Sequence, residues 1–151
     1  TNYLLYGNAV IVLLQTDNTL RIKQEYGGGT DGYWDTDAAI TSGNEWIHVA
    51  MTYDSTSTAN NPTVYINGEA VAITEVVTPA GTRTAWSGTQ NLGYSSNGFK
   101  GQISDFAFYD AVLRSDEIKA IYNNGTLDLG QHSPPRVAGN LIFWYRMGNG
   151  P

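Results

Sequence analysis

Residues 46–53, Trp-Ile-His-Val-Ala-Met-Thr-Tyr, are apolar or aromatic at almost every position and lead on to Val64-Tyr65-Ile66-Asn67-Gly68. Side chains of a strand alternate between its faces, which assigns Ile47, Val49, Met51 and Tyr53 to one side and Trp46, His48, Ala50 and Thr52 to the other. With both sides apolar, the segment predicts a central strand. Asn67-Gly68 is the strongest hairpin signal in the chain, with residues 69–73 returning, because these two residue types tolerate the positive φ angles of a two-residue turn. Residues 99–109 read as a second long strand, which hands over to a helix. Ser115 is expected to cap that helix, Asp116 and Glu117 to face the positive end of its dipole, Ile118, Ile121 and Tyr122 to form its apolar stripe, and Gly125 to end it.

The remaining segments follow the same logic. Residues 8–16 predict an apolar strand, Asp17-Asn18 a turn, and residues 19–26 a return strand in which Leu20 and Ile22 alternate with Arg21, Lys23 and Glu25. The glycine-rich stretch 27–37 is expected to be a loop, as is 79–88, which carries Trp86. A short strand at 91–94, a turn at 95–98, a linker at 131–139 containing Pro134-Pro135 and a last aromatic strand at 140–146 complete the pass. By alternation Trp46, Phe106, Phe108, Tyr109 and Trp144 belong to the core. Seventeen glycines, ten tyrosines and four tryptophans, beside one helical segment, place the chain in the all-β class.

Several functions are excluded by what the chain lacks. At 151 residues it suits one domain, able to bury roughly 68–70% of its unfolded surface without staples. Zero cysteines remove disulfides, thiolate metal sites and a cysteine nucleophile. Eight basic residues against 14 acidic ones, net charge −6 and scattered, argue against nucleic acid and against an anionic membrane surface. The longest apolar run, residues 9–14, falls far short of the roughly 20 needed to cross a bilayer, so no membrane insertion is expected. His48 lies within the predicted central strand as a packed imidazole and His132 in the linker, too few nitrogen ligands for zinc. No serine has a nucleophile-elbow context. A glycosidase needs two carboxylates facing each other across a cleft, roughly 5–9.5 Å apart. Glu25, Glu45, Glu69, Glu75 and Glu117 are each isolated from a close acidic partner in the strand pattern.

The order of the two anchor phrases, together with Phe99-Lys100-Gly101-Gln102-Ile103-Ser104-Asp105-Phe106, Tyr109, Leu113 and Glu117-Ile118, closely resembles the laminin G-like, concanavalin A-like jelly-roll family over roughly residues 8–125. The resemblance implies an all-β, two-sheet antiparallel jelly-roll sandwich with one short helix near 115–124, in an extracellular, cell-surface or virion setting. The family's opening Phe-Thr-x-x-x-Trp stretch does not precede residue 1. The expected division is therefore a sandwich at 1–130 lacking its first strands, a linker at 131–139, and a strand at 140–151 that closes the sandwich or opens a following repeat. An unpaired opening edge would need a partner strand from the parent chain or a neighbour. The family's hydrolase branch carries Glu-x-Asp-x-x-Glu on one strand, and this chain has no such arrangement, so no catalytic residue is expected.

The resemblance also implies calcium at a sheet rim. Calcium takes 6–8 oxygen ligands, which Asp31, Asp35, Asp37 and Asp54 could help to supply, although acidic loops are equally a solvated face. Asp105 is assigned to fixing a turn or a backbone amide. For a sugar ligand the candidates are Tyr33, Trp34 and Asp35, with Trp86 from a second loop, since sugars stack on aromatic rings while carboxylates take their hydroxyls. The alternative is that Trp34 covers a sandwich edge. The resulting expectation is a non-catalytic structural or interaction module of a larger extracellular or virion surface protein, contacting other protein subunits or repeats of its parent chain. A carbohydrate-binding module with an exposed Tyr33–Trp34 platform is the alternative, and a glycoside hydrolase the third reading.

Overall fold

The computed structural model describes residues 2–41, 43–93, 97–122 and 139–145. Gly125, His132, most of the expected linker and the start of the 95–98 turn lie outside the described residues. The chain runs through β1 (Asn2–Tyr6), β2 (Val10–Leu14), β3 (Leu20–Gln24), β4 (Tyr26–Thr30), β5 (Gly32–Thr36), β6 (Val49–Thr52) and β7 (Thr63–Ile66). It continues with β8 (Glu69–Val71), β9 (Ile73–Val77), β10 (Ala80–Arg83), β11 (Asn91–Leu92), β12 (Phe106–Tyr109), α1 (Ser115–Tyr122) and β13 (Leu141–Tyr145). These strands pair antiparallel in a six-stranded sheet of order β11-β1-β2-β3-β5-β9, a three-stranded sheet β6-β7-β8, and the pairs β10-β4 and β12-β13. The fold is mostly β with one short helix, as expected. Its described strands fall into four hydrogen-bonded groups rather than two.

The two larger sheets meet through apolar clusters, in one of which Met51 of β6 packs on Leu5, Ala9 and Val10. Leu20, Ile22 and Trp34 from β3 and β5 pack on Val64 of β7, with Met51, Ile66 and Val71 around them. On β3 and β5 the even-numbered residues are buried and the odd-numbered ones half-exposed, as a period of two dictates. Helix α1 covers the three-stranded sheet by a separate cluster of Tyr65, Leu113, Ile118 and Ile121, against which Ala50 and Trp144 also pack.

Local chemistry explains the turns. Asn18 takes φ 64° while Asp17 Oδ1 accepts from both the amide and the hydroxyl of Thr19, which closes the β2–β3 hairpin. At the β7–β8 hairpin both Asn67 (φ 51°) and Gly68 (φ 80°) are left-handed, as a type I′ turn requires. Asn67 further accepts from the His48 amide through its side chain and donates its own N–H to the His48 carbonyl, holding the approach to β6.

Several expectations are corrected. The glycine-rich stretch 27–37 is not a loop: it forms β4 and β5. Close approach is the reason: a Cβ at Gly29 would lie 2.1 Å from the Ala80 carbonyl oxygen of the neighbouring β10 backbone, and one at Gly32 would lie 2.3 Å from the Trp34 ring that covers it. The loop expected at 79–88 likewise contains β10. Strand pairing at 46–53 is confined to Val49–Thr52, whose one ladder among the described residues is to β7, and Trp46 is 67% exposed instead of core. The strand expected at 99–109 is reduced to β12 because Asp105 has φ 55°, which breaks the extended run; its carboxylate accepts from the Trp144 indole and the Ser104 hydroxyl. Phe106, Phe108, Tyr109 and Trp144 are only partly buried. Helix α1 is capped from Arg114 rather than Ser115: the buried Glu117 carboxylate accepts the Arg114 amide at 2.7 Å, the reciprocal half of a capping box.

Strand β1 arises where the sequence pattern predicts none. It sits between β2 and β11, so the first described strand is not an open edge, and β13 pairs with β12 rather than with it.

Candidate functional site

The face of the six-stranded sheet that turns away from the three-stranded one carries two cross-strand rows. Residues directly opposite in an antiparallel pair share a face, so register alone assembles them. One row is Tyr3, Leu13, Arg21 and Asp35; the other is Tyr6, Ile11, Lys23 and Tyr33. Tyr3 and Tyr6 have opposite parity and would ordinarily point to opposite faces. A register shift between Tyr3 and Leu5 reverses that parity, so both rings reach this face and meet edge to face at 5.3 Å. The rows bound a cleft of about 350 Å³, also lined by Gln15 and Glu25. Tyr6 and Tyr33 stand three strand spacings apart, about 14 Å, with Ile11 and Lys23 as the floor between them.

Charges on this face are paired. Arg21 grips Asp35 with two bonds, Nε to Oδ1 at 2.7 Å and Nη2 to Oδ2 at 2.6 Å, the bidentate geometry that planar guanidinium favours. This bond holds the Arg21 pKa above its ordinary value. Lys23 Nζ lies 3.2 Å from Glu25 and 3.0 Å from Asp31. Burial by itself would lower the Lys23 pKa, yet the bonds to Asp31 and Glu25 outweigh it and raise the pKa. For Asp31, burial pushes up, but the Tyr26 amide at 2.9 Å and the Lys23 ammonium prevail and hold the pKa below the usual range. Both cations lie 5.8 Å from the centre of the Tyr33 ring, within cation–π reach.

Of the residues the sequence singles out, Tyr33 and Asp35 reach this face and Trp34 does not. Trp34 is 0% exposed, its indole N–H donates to Asn61 at 2.7 Å, and its ring packs edge-on to Tyr53 at 5.3 Å. The exposed Tyr33–Trp34 platform is thus corrected: adjacent residues of a strand face opposite ways, and Trp34 is the one inside. Trp86 does not line the cleft. It packs on Phe108, ring centres 4.2 Å apart, beside the cluster of Leu5, Ala9 and Val10.

The calcium set is not assembled either. Asp31 and Asp35 are held by Lys23 and Arg21, Asp37 accepts from the Thr74 hydroxyl at 2.7 Å, and Asp54 from the amide and hydroxyl of Thr56. Among the described residues no three His, Cys, Asp or Glu side chains gather as a metal site. Glu25, which the strand pattern isolates, has Asp31 as a neighbour across Lys23. His48 is packed as expected, its ring 5.5 Å from that of Tyr122, and burial lowers its pKa.

The family model described as the concanavalin A-like lectin/glucanases superfamily, a laminin G model, matches residues 3–119, well over half of the chain and every residue of the cleft. The chain belongs to this superfamily. No curated protein and no solved structure gives a significant match. In this concanavalin A-like domain Tyr33 is the one cleft-lining residue that the sequence singled out as a site residue; Tyr3, Tyr6, Gln15, Arg21, Lys23 and Glu25 were not assigned to a site. The alternation of Arg21, Lys23 and Glu25, along β3 and just past its end, was the legible sign of an open face. Among the described residues, no helix is long and apolar enough to cross a membrane.

Proposed function

We propose that this concanavalin A-like domain is a non-catalytic carbohydrate-binding module whose site is the cleft between Tyr6 and Tyr33. The observation that carries this reading is the juxtaposition of three tyrosines with Gln15, Glu25, Arg21 and Asp35 on one open sheet face. Aromatic faces stack on the apolar side of a sugar ring while amide and carboxylate groups take its hydroxyls. The pairs β10-β4 and β12-β13 are then the margins of a two-sheet jelly roll.

The non-catalytic part rests on charge. A glycosidase needs one carboxyl group kept protonated as general acid. Of the two carboxylates bridged by the Lys23 ammonium, Glu25 and Asp31, Asp31 is held below the usual carboxylate range by the Tyr26 amide and that ammonium, the opposite of what a general acid requires. Display on a larger extracellular or virion protein suits such a module.

A second reading, contact with other subunits or repeats of the parent chain, is favoured by the apolar residues exposed on β13, where Ile142 is 55% and Tyr145 65% exposed. A glycan array followed by titration calorimetry separates the two. Binding in the millimolar to micromolar range, on the order of −4 to −8 kcal/mol, weakened about tenfold or more by Tyr33→Ala, is the expected result. No glycan bound, or full affinity in Tyr33→Ala, refutes the carbohydrate reading.

A further inference from the structure

We propose that the Tyr33 cleft selects uncharged glycans and rejects acidic ones, because each of its cations is already paired with a carboxylate, Arg21 with Asp35 of the same sheet and Lys23 with Glu25 and Asp31 at the strand ends beside it. The inference rests on the carbohydrate reading above and names the ligand class of that site.

Proteins that take uronate, sialate or sulfate groups present a cation to them, most favourably an arginine with its fork open to the anion. Here the Nε–Nη2 edge of that fork is filled. Arg21 has Nε and Nη2 committed to the two oxygens of Asp35, and Lys23 is shared between Glu25 and Asp31. The face therefore offers two cations against three carboxylates, on a chain whose overall charge is −6. An acidic sugar entering the cleft must displace one of these carboxylates or remain beside it, and like charges in close contact are costly. A neutral sugar meets no such barrier. Its hydroxyls donate to Asp35 and Glu25, whose carboxylates keep acceptor capacity beyond their ion pairs, and its apolar face lies on Tyr33. Specificity would then come from carboxylates placed to hold the cations.

The experiment uses the whole chain and a panel with two arms: neutral oligosaccharides of hexose and N-acetylhexosamine, and acidic ones, polygalacturonate and chondroitin sulfate. Titrations run at about 0.01 M and about 1 M salt, where the screening length falls from roughly 30 to 3 Å. Expected is binding confined to the neutral arm, with affinity changing less than about threefold between the salts. The paired variant Glu25→Gln/Asp31→Asn uncovers Lys23 and is expected to gain acidic-arm binding by about tenfold or more at low salt. Asp35→Asn uncovers Arg21 and gives a second, independent reading of the same gain; far-UV circular dichroism confirms that each variant is folded. Tighter binding of the acidic arm by the wild type overturns the inference while leaving carbohydrate binding intact, as does a failure of both folded variants to gain acidic binding. No binding in either arm overturns both.

Discussion

Trp34 and Tyr33 are neighbours in the chain with opposite assignments, which makes their substitution the sharpest test of the fold. Trp34 is wholly buried between the sheets, whereas Tyr33 is half-exposed in the cleft. A buried tryptophan hides roughly 200 Å² from water, about 5 kcal/mol at roughly 25 cal/mol per Å² as an upper estimate. Substitutions of this kind cost about 3–5 kcal/mol. Against a typical domain stability of about 5–15 kcal/mol that is a large share. Trp34→Ala is accordingly expected to lower the thermal midpoint by roughly 8–16 °C, taking about 4 kcal/mol and about 2–4 °C per kcal/mol for a domain of this size. Trp34→Phe keeps most of the ring but loses the indole bond to Asn61, an exposed residue that water can serve instead, and leaves a small void, so about 1–2 kcal/mol is expected. Tyr33→Ala should stay within about 1 kcal/mol of the wild type. Thermal and urea unfolding followed by far-UV circular dichroism measure all three. An unchanged midpoint in Trp34→Ala, or a larger loss in Tyr33→Ala, refutes the assignment of faces on β5.

Three further outcomes are expected. Because the Asp31 pKa is lowered in the folded state, its contribution is present in full above the unfolded carboxylate value of about 4 and is lost as pH falls through the folded value; Asp31→Asn should make the acid limb of a pH–stability curve shallower below about pH 4. Glu117→Ala removes the carboxylate that accepts the Arg114 amide and should cost about 0.5–2 kcal/mol in urea unfolding, with Glu117→Gln recovering part of it. Gly32→Ala drives a methyl group against the Trp34 ring, and a loss of about 1–3 kcal/mol is expected; a neutral result would show that the ring is free to move aside.

The hairpins at Asn18 and Asn67-Gly68 were legible because turn residues act locally, through φ angles that few side chains tolerate. Helix α1 was legible from its apolar spacing, although its cap lies one residue earlier than Ser115, since Glu117 reaches back to the Arg114 amide. The strands at β4, β5 and β10 were not: a glycine run looks like a breaker until a partner backbone, here at Ala80, comes close enough to require it. Trp46 misled for the opposite reason. Its segment is rich in apolar residues, but pairing starts only at Val49, and an unpaired flank has nothing to bury its side chains against.

By itself the sequence determined the all-β class, the superfamily phrases, the main turns and the exposed alternation of Arg21, Lys23 and Glu25. These depend on period-two patterning and local backbone preference, which neighbouring residues specify. The tertiary structure decided which aromatic residues serve the cleft. A strand shows only that Tyr33 and Trp34 face apart; the second sheet, packing Val64 against Trp34, chose the side that is inside. A shift of register in β1 brought Tyr3 and Tyr6 to the same face, an event set by pairing between strands and invisible in the chain alone.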